Sequence, residues 1–406
     1  MLIGTKKVTE KKLYFQSLDD KSECVGIYTN GKLYFDEMPT NLTKTWRHSG
    51  AITDDSVEYA WIMTGGKNLA EVCPADISAK LASNQAKFKA YLQSFRIAKI
   101  NLRELCFYDL VPEDFLLNFC ETKNQITKHV FENYEKPRNY EHLASVHKLL
   151  HKIKFNNLTT SNKDCRELMT SSRDRLQLQR LLSGPSHIDY NLFGTVTGRL
   201  TTFSNSLPIL TMKKTHRKII KPKNGWFLSL DYNGAELRTV LALGNEPQPD
   251  WDIHQWNAKN VFGGVLSREE AKEKFFAWLY NPDSDAIKSD LYNRDKILSD
   301  YYVDGKVNTM TGRAVPVEHR KAFNYLIQST TADLVMERAI EIDKFLEGKK
   351  SFISHIVHDE IVIDLDDSER SMTPLIKNIF ENNSLGKFRG NINAGKNYYD
   401  LKELIL

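Results

Sequence analysis

Two stretches of the chain put carboxylates where apolar strands end. The first is SHIVHDEIVIDL, residues 354–365. Apolar and polar residues alternate along it, as in an extended chain, but His358, Asp359 and Glu360 interrupt the alternation. By itself the triplet fits the solvated tip of a β-hairpin, where Asp is a common turn residue. The other reading is that the hairpin presents a carboxylate to a metal ion. That reading requires a second carboxylate, also at the end of an apolar strand. GWFLSLDYNGAELRTVLALG, residues 225–244, contains one. WFLSLDY reads as a buried strand and AELRTVLAL as a helix closed by Gly244, with Asp231 at the junction.

A third stretch has chemistry in its spacing. In REEAKEKFFAWLY, residues 268–280, Arg268, Lys272, Phe276 and Tyr280 recur every four residues and so share one slowly drifting helical stripe. Glu269, Glu270 and Glu273 would suit an ordinary solvated helix with local ion pairs. That explains the charges and leaves the change along the stripe, from cationic to aromatic, unexplained. Farther on, Asn324 and Gln328 in AFNYLIQSTTADL are four apart and share a helical face.

These residues need a scaffold. The 406 residues suggest two or three domains or subdomains. With 41% hydrophobic and 27% charged residues the chain can bury a core. It has no apolar run of membrane-spanning length, and its start, MLIGTKKVTEKK, has no secretory core. Cys24, Cys73, Cys106, Cys120 and Cys165 form no Cys-x-x-Cys pair and are odd in number, so neither a disulfide scaffold nor a zinc ribbon is expected, and a reducing cytoplasm fits. The net charge of +4 decides little, but SLPILTMKKTHRKIIKPK, residues 206–223, has six Lys or Arg and no acid. Such a local excess suits a polyanion and equally a solvated surface. The first ~70 residues read as β-rich, with CVGIYTNGKLYFDE a hairpin turning at Asn30-Gly31. From about Asp76 the pattern is helical. Helices are predicted over 112–134 and 139–153, separated at Pro137, then over 267–280 with Ser267 as N-cap, and over about 319–347.

Taken in order, TVTGRLTT (195–202), DYNGAELR (231–238), the Arg268 helix, AFNYLIQSTTADL (322–334) and VHDE (357–360) resemble the motif series of family A DNA polymerases, the DNA polymerase I type. The resemblance covers roughly residues 115–406. It implies an α+β, right-hand polymerase fold, with an antiparallel palm sheet and helical fingers and thumb, preceded by a small α/β N-terminal module. The implied division is 1–112 for a degenerate exonuclease-like module, 113–185 thumb, 186–240 first palm part, 241–348 fingers and 349–406 second palm part.

The resemblance also implies roles. Two Mg2+ ions, replaceable by Mn2+, would be held by Asp231, Asp359 and the Tyr232 carbonyl, with Glu360 an auxiliary acid. Two such ions suit phosphoryl transfer to a primer hydroxyl, and magnesium accepts a site with few protein carboxylates because substrate phosphates and water complete it. Arg268, Lys272 and His254 would meet the triphosphate, Phe276 the sugar and base, and Tyr280 the templating base. Glu236 would exclude a ribose hydroxyl; as a helix N-terminal acid it also fits the dipole. Arg199, Thr197, Asn324, Gln328, His358, Lys213, Lys214 and Arg217 would contact DNA, the amides and Arg199 through minor-groove acceptors common to all base pairs. Partners would be primer-template DNA and dNTPs, with a separate exonuclease, helicase or processivity factor as further candidates and no membrane. The location would be cytoplasmic, in the host if the chain is from a bacteriophage.

The chain departs from the family pattern in places. Asn233-Gly234-Ala235 stands where Ser-Gln-Ile is usual, Asn281 where a Gly is usual, and SNSLPILT replaces an Asn-Leu-Gln-Asn-Ile-Pro stretch. The interval from Tyr280 to Asp359 is short, which implies trimmed fingers. Asp19, Asp20 and Glu23 lack the Asp-x-Glu spacing of an exonuclease. Two other functions compete: a catalytically silent nucleic-acid-binding accessory protein, against which the intact Asp231, Asp359, Arg268 and Lys272 argue, and a single-subunit RNA polymerase of related fold, against which Glu236 argues.

Overall fold

The computed structural model describes residues 13–163 and 165–405, with the side chain of Arg166 left aside. The first twelve residues, read above as lacking a secretory core, lie outside the described residues. The chain divides into two compact units, Met1–His151 and Lys152–Leu406.

The first unit is built on a five-stranded mixed sheet. Its strands are β1 (Leu13–Ser17), β2 (Gly26–Thr29), β3 (Lys32–Phe35), β4 (Leu42–Thr45) and β5 (Glu58–Tyr59), in the order β3-β2-β1-β4-β5. The first three run antiparallel, and β4 and β5 continue in parallel. Asn30 and Gly31 both take positive φ between β2 and β3, the backbone that a two-residue hairpin requires. Helices α1 (Ser78–Ile97) and α2 (Glu113–Asn133) pack with the sheet. Phe115, Leu116 and Cys120 of α2 join Leu18, Tyr28, Phe95 and Val111 in one core. This apolar face draws α2 into the first unit. Helix α3 (Tyr140–Phe155) follows.

One expectation is corrected here. Cys24 and Cys106 form a disulfide, with Cα atoms 5.6 Å apart. The two are 82 residues apart in sequence, and only the fold, by bringing the β1–β2 connection beside the loop before Phe107, makes them neighbours. Cys73, Cys120 and Cys165 are free.

The second unit is organised around an antiparallel sheet. Strand β6 (Gly225–Tyr232) lies at its centre, between β8 (Glu360–Asp366) and β9 (Gly390–Gly395); β7 (Phe352–Val357) flanks β8, and β10 (Lys402–Glu403) flanks β9. The middle of β6 is buried on both faces: Phe227, Leu228 and Leu230 are fully buried, with Ser229 between them. The second large core lies beyond the sheet, among α4 (Ala235–Leu243), α5 (Ile253–Asn260), α6 (Arg268–Tyr280) and α7 (His319–Phe345). Phe275, Trp278 and Leu279 of α6 pack there with Leu237, Val240 and Leu241 of α4 and Phe323, Leu326 and Ile327 of α7. Each such side chain contributes about 1.5–3 kcal/mol relative to exposure. Burying that face turns the opposite stripe of α6 outward. A short ribbon, Tyr302–Val303, Lys306–Asn308 and Ala314–Pro316, precedes α7. The architecture is α+β, and among the described residues no helix is long and apolar enough to cross a membrane.

Candidate active site

Asp231, next to last in β6, lies directly opposite Glu360, the first residue of β8. Asp359 immediately precedes Glu360, in the two-residue turn that joins β7 to β8 through the Val357–Glu360 pair. The turn requires His358 to adopt positive φ, 58°, uncommon for a residue with a β-carbon and a form of local strain often found at functional sites. Of the two opening readings, the hairpin tip is the one the backbone forms here. Burial pushes the Asp231 carboxyl up to about 8, and the charges of Asp359 and Glu360 add to this, while Lys272 opposes it. Burial likewise raises Asp359. Such a pair is costly as two bare anions and favourable once a cation lies between them.

The residues present fit divalent cations of the hard, oxygen-seeking kind. Among the described residues no three or more His, Cys, Asp or Glu side chains converge on a metal position, so the protein alone offers a partial ligand set, the kind that phosphates and water complete. Glu360 is already engaged: it accepts hydrogen bonds from Ser229 Oγ and Tyr398 Oη, each at 2.6 Å, and Arg217 lies 4.0 Å away. The Tyr232 side chain turns to the other face, stacking on Phe380 and donating to its carbonyl oxygen at 2.6 Å.

Beside the carboxylates lies a cavity of about 360 Å³ whose lining includes Arg199, Glu236, Phe276, Tyr280, His358 and Asp359. Glu236, in the first turn of α4, accepts from Arg199 Nη2 and, at 2.6 Å, from Tyr280 Oη. Burial raises its carboxyl, against the pull of Tyr280 and Arg199. Burial and the Glu236 charge push the Tyr280 phenol up to about 12, so it remains a donor at any working pH. Arg199 is aimed by its loop: Thr195 Oγ1 donates to the Arg199 carbonyl at 2.8 Å, and Gly198 takes positive φ where a β-carbon would collide with the Arg313 guanidinium. Thr197 is buried in this loop.

Helix α6 begins at a capping box formed by Ser267 and Glu270. Its stripe presents Arg268, Lys272, Phe276 and Tyr280 in that order, with the Phe276 and Tyr280 rings stacked at 6.1 Å. His254, on α5, is buried 6.2 Å from Phe276. Its burial pushes the imidazole down to about 4, and its Nδ1 has no hydrogen-bond partner among the described residues. Gly234 allows this approach, since a β-carbon there would meet Ile253 at 2.5 Å. Gln328 donates to Asn324 at 2.8 Å on one face of α7.

The basic stretch is only partly available. Lys213 donates to Asp174 at 2.8 Å, and Arg217 donates to Tyr398 Oη at 3.1 Å behind Glu360. Lys214 is exposed.

Three further residues, not assigned roles above, support the site. Asp252 accepts from Arg268 and Asn233. Asn233 faces inward and accepts from the Ile253 backbone N–H at 2.8 Å. Arg313 pairs with the buried Asp333 of α7 at 2.6 Å while supporting Gly198. The neighbour of His254 in "DIH" and the Gly-Arg pair at 312–313 were the available hints.

No family model matches the chain. A DNA polymerase of Bacillus phage SP01 is 25% identical over 295 residues, 53% of this chain and 32% of the relative. A thermostable DNA polymerase I of Thermus aquaticus is 26% identical over 45% of this chain and 28% of the relative. The POL domain of Pol1 from M. smegmatis, solved in complex with DNA primer-template and dNTP, shares the fold with a TM-score of 0.65, covering 96% of each chain at 13% identity. The chain is a homologue of the family A DNA polymerases. It spans about a third or less of the length of the curated relatives it matches. The shared fold agrees with the α+β architecture.

Proposed function

We propose that the chain is a template-directed DNA polymerase that adds dNTPs to a primer 3′-hydroxyl. The observation that carries this is the position of Asp231, near the end of β6, and Asp359, in the β7–β8 turn, two half-buried carboxylates of which Asp359 lines the Glu236–Phe276–Tyr280 cavity. Asp231, Asp359 and the Tyr232 carbonyl would hold two Mg2+ ions, or Mn2+ in their place. Bound there, such ions supply a lowered hydroxyl pKa and neutralise charge on the leaving pyrophosphate.

The chain's own residues do the rest. Arg268 and Lys272 receive the triphosphate, the Arg by its planar fork. Neutral His254 offers an imidazole nitrogen to the same phosphates. Phe276 closes over the sugar, and Glu236 fills the space a 2′-hydroxyl would need, held there by Tyr280 and Arg199. Asn324 and Gln328 donate toward the minor groove of the primer end. Glu360, tied to Ser229 and Tyr398, adds negative charge beside Asp231. In this reading Lys152–Leu406 carries palm and fingers, and helices within 113–185 serve as thumb.

The first unit is read as a degenerate exonuclease-like module without proofreading. Asp19 supports this, since it is buried and committed to Lys21 at 2.7 Å and to the Phe107 backbone N–H. Proofreading, a helicase and a processivity factor would come from other chains. DNA synthesis belongs in the cytoplasm, the host's for a viral chain, where the Cys24–Cys106 bond is open to reduction.

The test is primer extension with Mg2+ on a defined template. The expected result is templated extension with dNTPs, little with NTPs, and no trimming of a mismatched primer end. Binding of DNA without extension would favour the silent accessory protein, and efficient use of NTPs the RNA polymerase.

A further inference from the structure

Arg268, at the start of α6, has all three guanidinium nitrogens engaged. Its Nε and Nη2 donate side-on to the two oxygens of Asp252, at 3.1 and 2.8 Å. Its Nη1 donates to Glu269. A phosphate that takes the Nε–Nη2 side of this guanidinium in bidentate fashion has to displace Asp252. Glu269 is a largely exposed neighbour, whereas Asp252 is anchored. Asp252 Oδ1 caps α5 by accepting the Gln255 N–H at 2.9 Å, and Oδ2 accepts from Asn233 Nδ2 at 2.8 Å. Asn233 follows the Asp231-Tyr232 strand end and is fixed in turn by Arg389, Ile253 and Arg238.

We propose that Asp252 is a positioning residue that occupies Arg268 in the absence of nucleotide and yields it to the triphosphate, so that nucleotide binding is an exchange of one anion for another. The inference rests on the reading of Arg268 as a triphosphate ligand. The exchange leaves neither side stranded. Asp252 keeps its Gln255 and Asn233 hydrogen bonds, and Arg268 gains phosphate oxygens. The pair is also weak enough to open, because Arg268 is 42% exposed and exposed pairs are worth little in water. Burial would raise the Asp252 carboxyl, but its hydrogen bonds from Arg268, Gln255 and Asn233 hold it well below the usual carboxylate range. The competitor is therefore charged wherever the protein is folded. One carboxylate thus links the metal-facing strand end, the helix of His254 and the nucleotide helix, and sets a threshold that a bound triphosphate must exceed.

The experiment measures dNTP affinity for the full chain bound to a primer-template with a dideoxy-terminated primer, so that no chemistry follows. Asp252→Ser retains an N-cap acceptor and lacks the reach to Arg268; Asp252→Asn retains the shape and removes the charge. Both are expected to bind the correct dNTP, and inorganic tripolyphosphate, about 2- to 5-fold more tightly than wild type, the range an exposed ion pair supports. In extension assays KM falls and kcat does not rise. The gain is expected to vanish in an Arg268→Ala background. Unchanged or weaker binding by both Asp252 variants overturns the proposal, as does the same gain without Arg268. If the wild type binds no dNTP, or if Arg268→Ala binds as well as wild type, the assignment of Arg268 fails and the exchange with it.

Discussion

Asp231 and Glu360 face each other as a registered pair across two antiparallel strands, and the residue before Glu360 is Asp359. Three carboxylates are thereby gathered at one corner of a sheet whose interior is apolar. Hydrogen bonds from Ser229 and Tyr398 hold one of them. The other two are pushed toward their protonated forms by burial and, for Asp231, by its neighbours' charge.

A corner of this kind is unstable without a cation. Asp231→Asn is therefore expected to raise the melting temperature of the protein in EDTA by a few degrees, because it removes one of two facing buried charges. Mg2+ should raise the melting temperature of the wild type and leave that of the variant nearly unchanged. A scan series with and without metal reads both effects. Equal metal-induced gains in the two proteins would place the binding site elsewhere.

Glu236 is held between Arg199 and Tyr280. Glu236→Ala should admit ribonucleotides, by opening the space at C2′, and should also slow dNTP addition, because Arg199 and Tyr280 lose their common acceptor. Tyr280→Phe removes one of the two hydrogen bonds and should relax discrimination by less, about 3- to 10-fold. The check is the ratio of incorporation efficiencies for dNTP and NTP. Unchanged selectivity in Glu236→Ala would reduce this residue to a helix N-terminal acid.

Phe276 lines the same cavity and has no polar atom. A dideoxynucleotide leaves a polar gap where the 3′-hydroxyl of a dNTP would sit, at a cost of roughly 1–3 kcal/mol, or about 5- to 150-fold in rate. The wild type should discriminate against dideoxynucleotides by that order, and Phe276→Tyr should remove most of the difference by supplying a hydroxyl. If the wild type already incorporates both equally, Phe276 does not face the sugar.

Two buried histidines give stability a pH dependence. Burial pushes His254 down to about 4, and burial with the Arg217 charge pushes His355 down to about 3. Both are neutral in the folded chain and become protonated near pH 6.5 when unfolded. Their contribution is fully present above that value and is lost as pH falls from 6.5 toward 4. The melting temperature should fall across this window, and less steeply in His355→Phe, whose ring would pack with Phe227 and Tyr398. Identical slopes in the two proteins would remove His355 from this account.

What could be read in the sequence was what depends on local pattern. Asp231 and Asp359 stood out because each ends an apolar strand, and the α6 stripe because its period is four. The Asn30-Gly31 turn and the Ser267 cap are local chemistry too, and both formed. Relations set by packing could not be read. Cys24 and Cys106 meet only after the first unit has folded. Helix α2 joins that unit through a face whose partner its own sequence does not name. Asp252 lies sixteen residues before Arg268, with an intervening helix that alone decides their contact. The basic stretch showed its charge, but not that Asp174 and Tyr398 would engage Lys213 and Arg217.

The measurement that bears most directly on the central claim is single-turnover primer extension by Asp231→Asn and Asp359→Asn beside the wild type, with primer-template affinity measured in the same preparations. If the two carboxylates hold the ions that drive phosphoryl transfer, each variant should bind DNA within about 3-fold of wild type and extend it at least about 1,000-fold more slowly. Extension near the wild-type rate by either variant would contradict the assignment of this corner of the sheet as the catalytic centre.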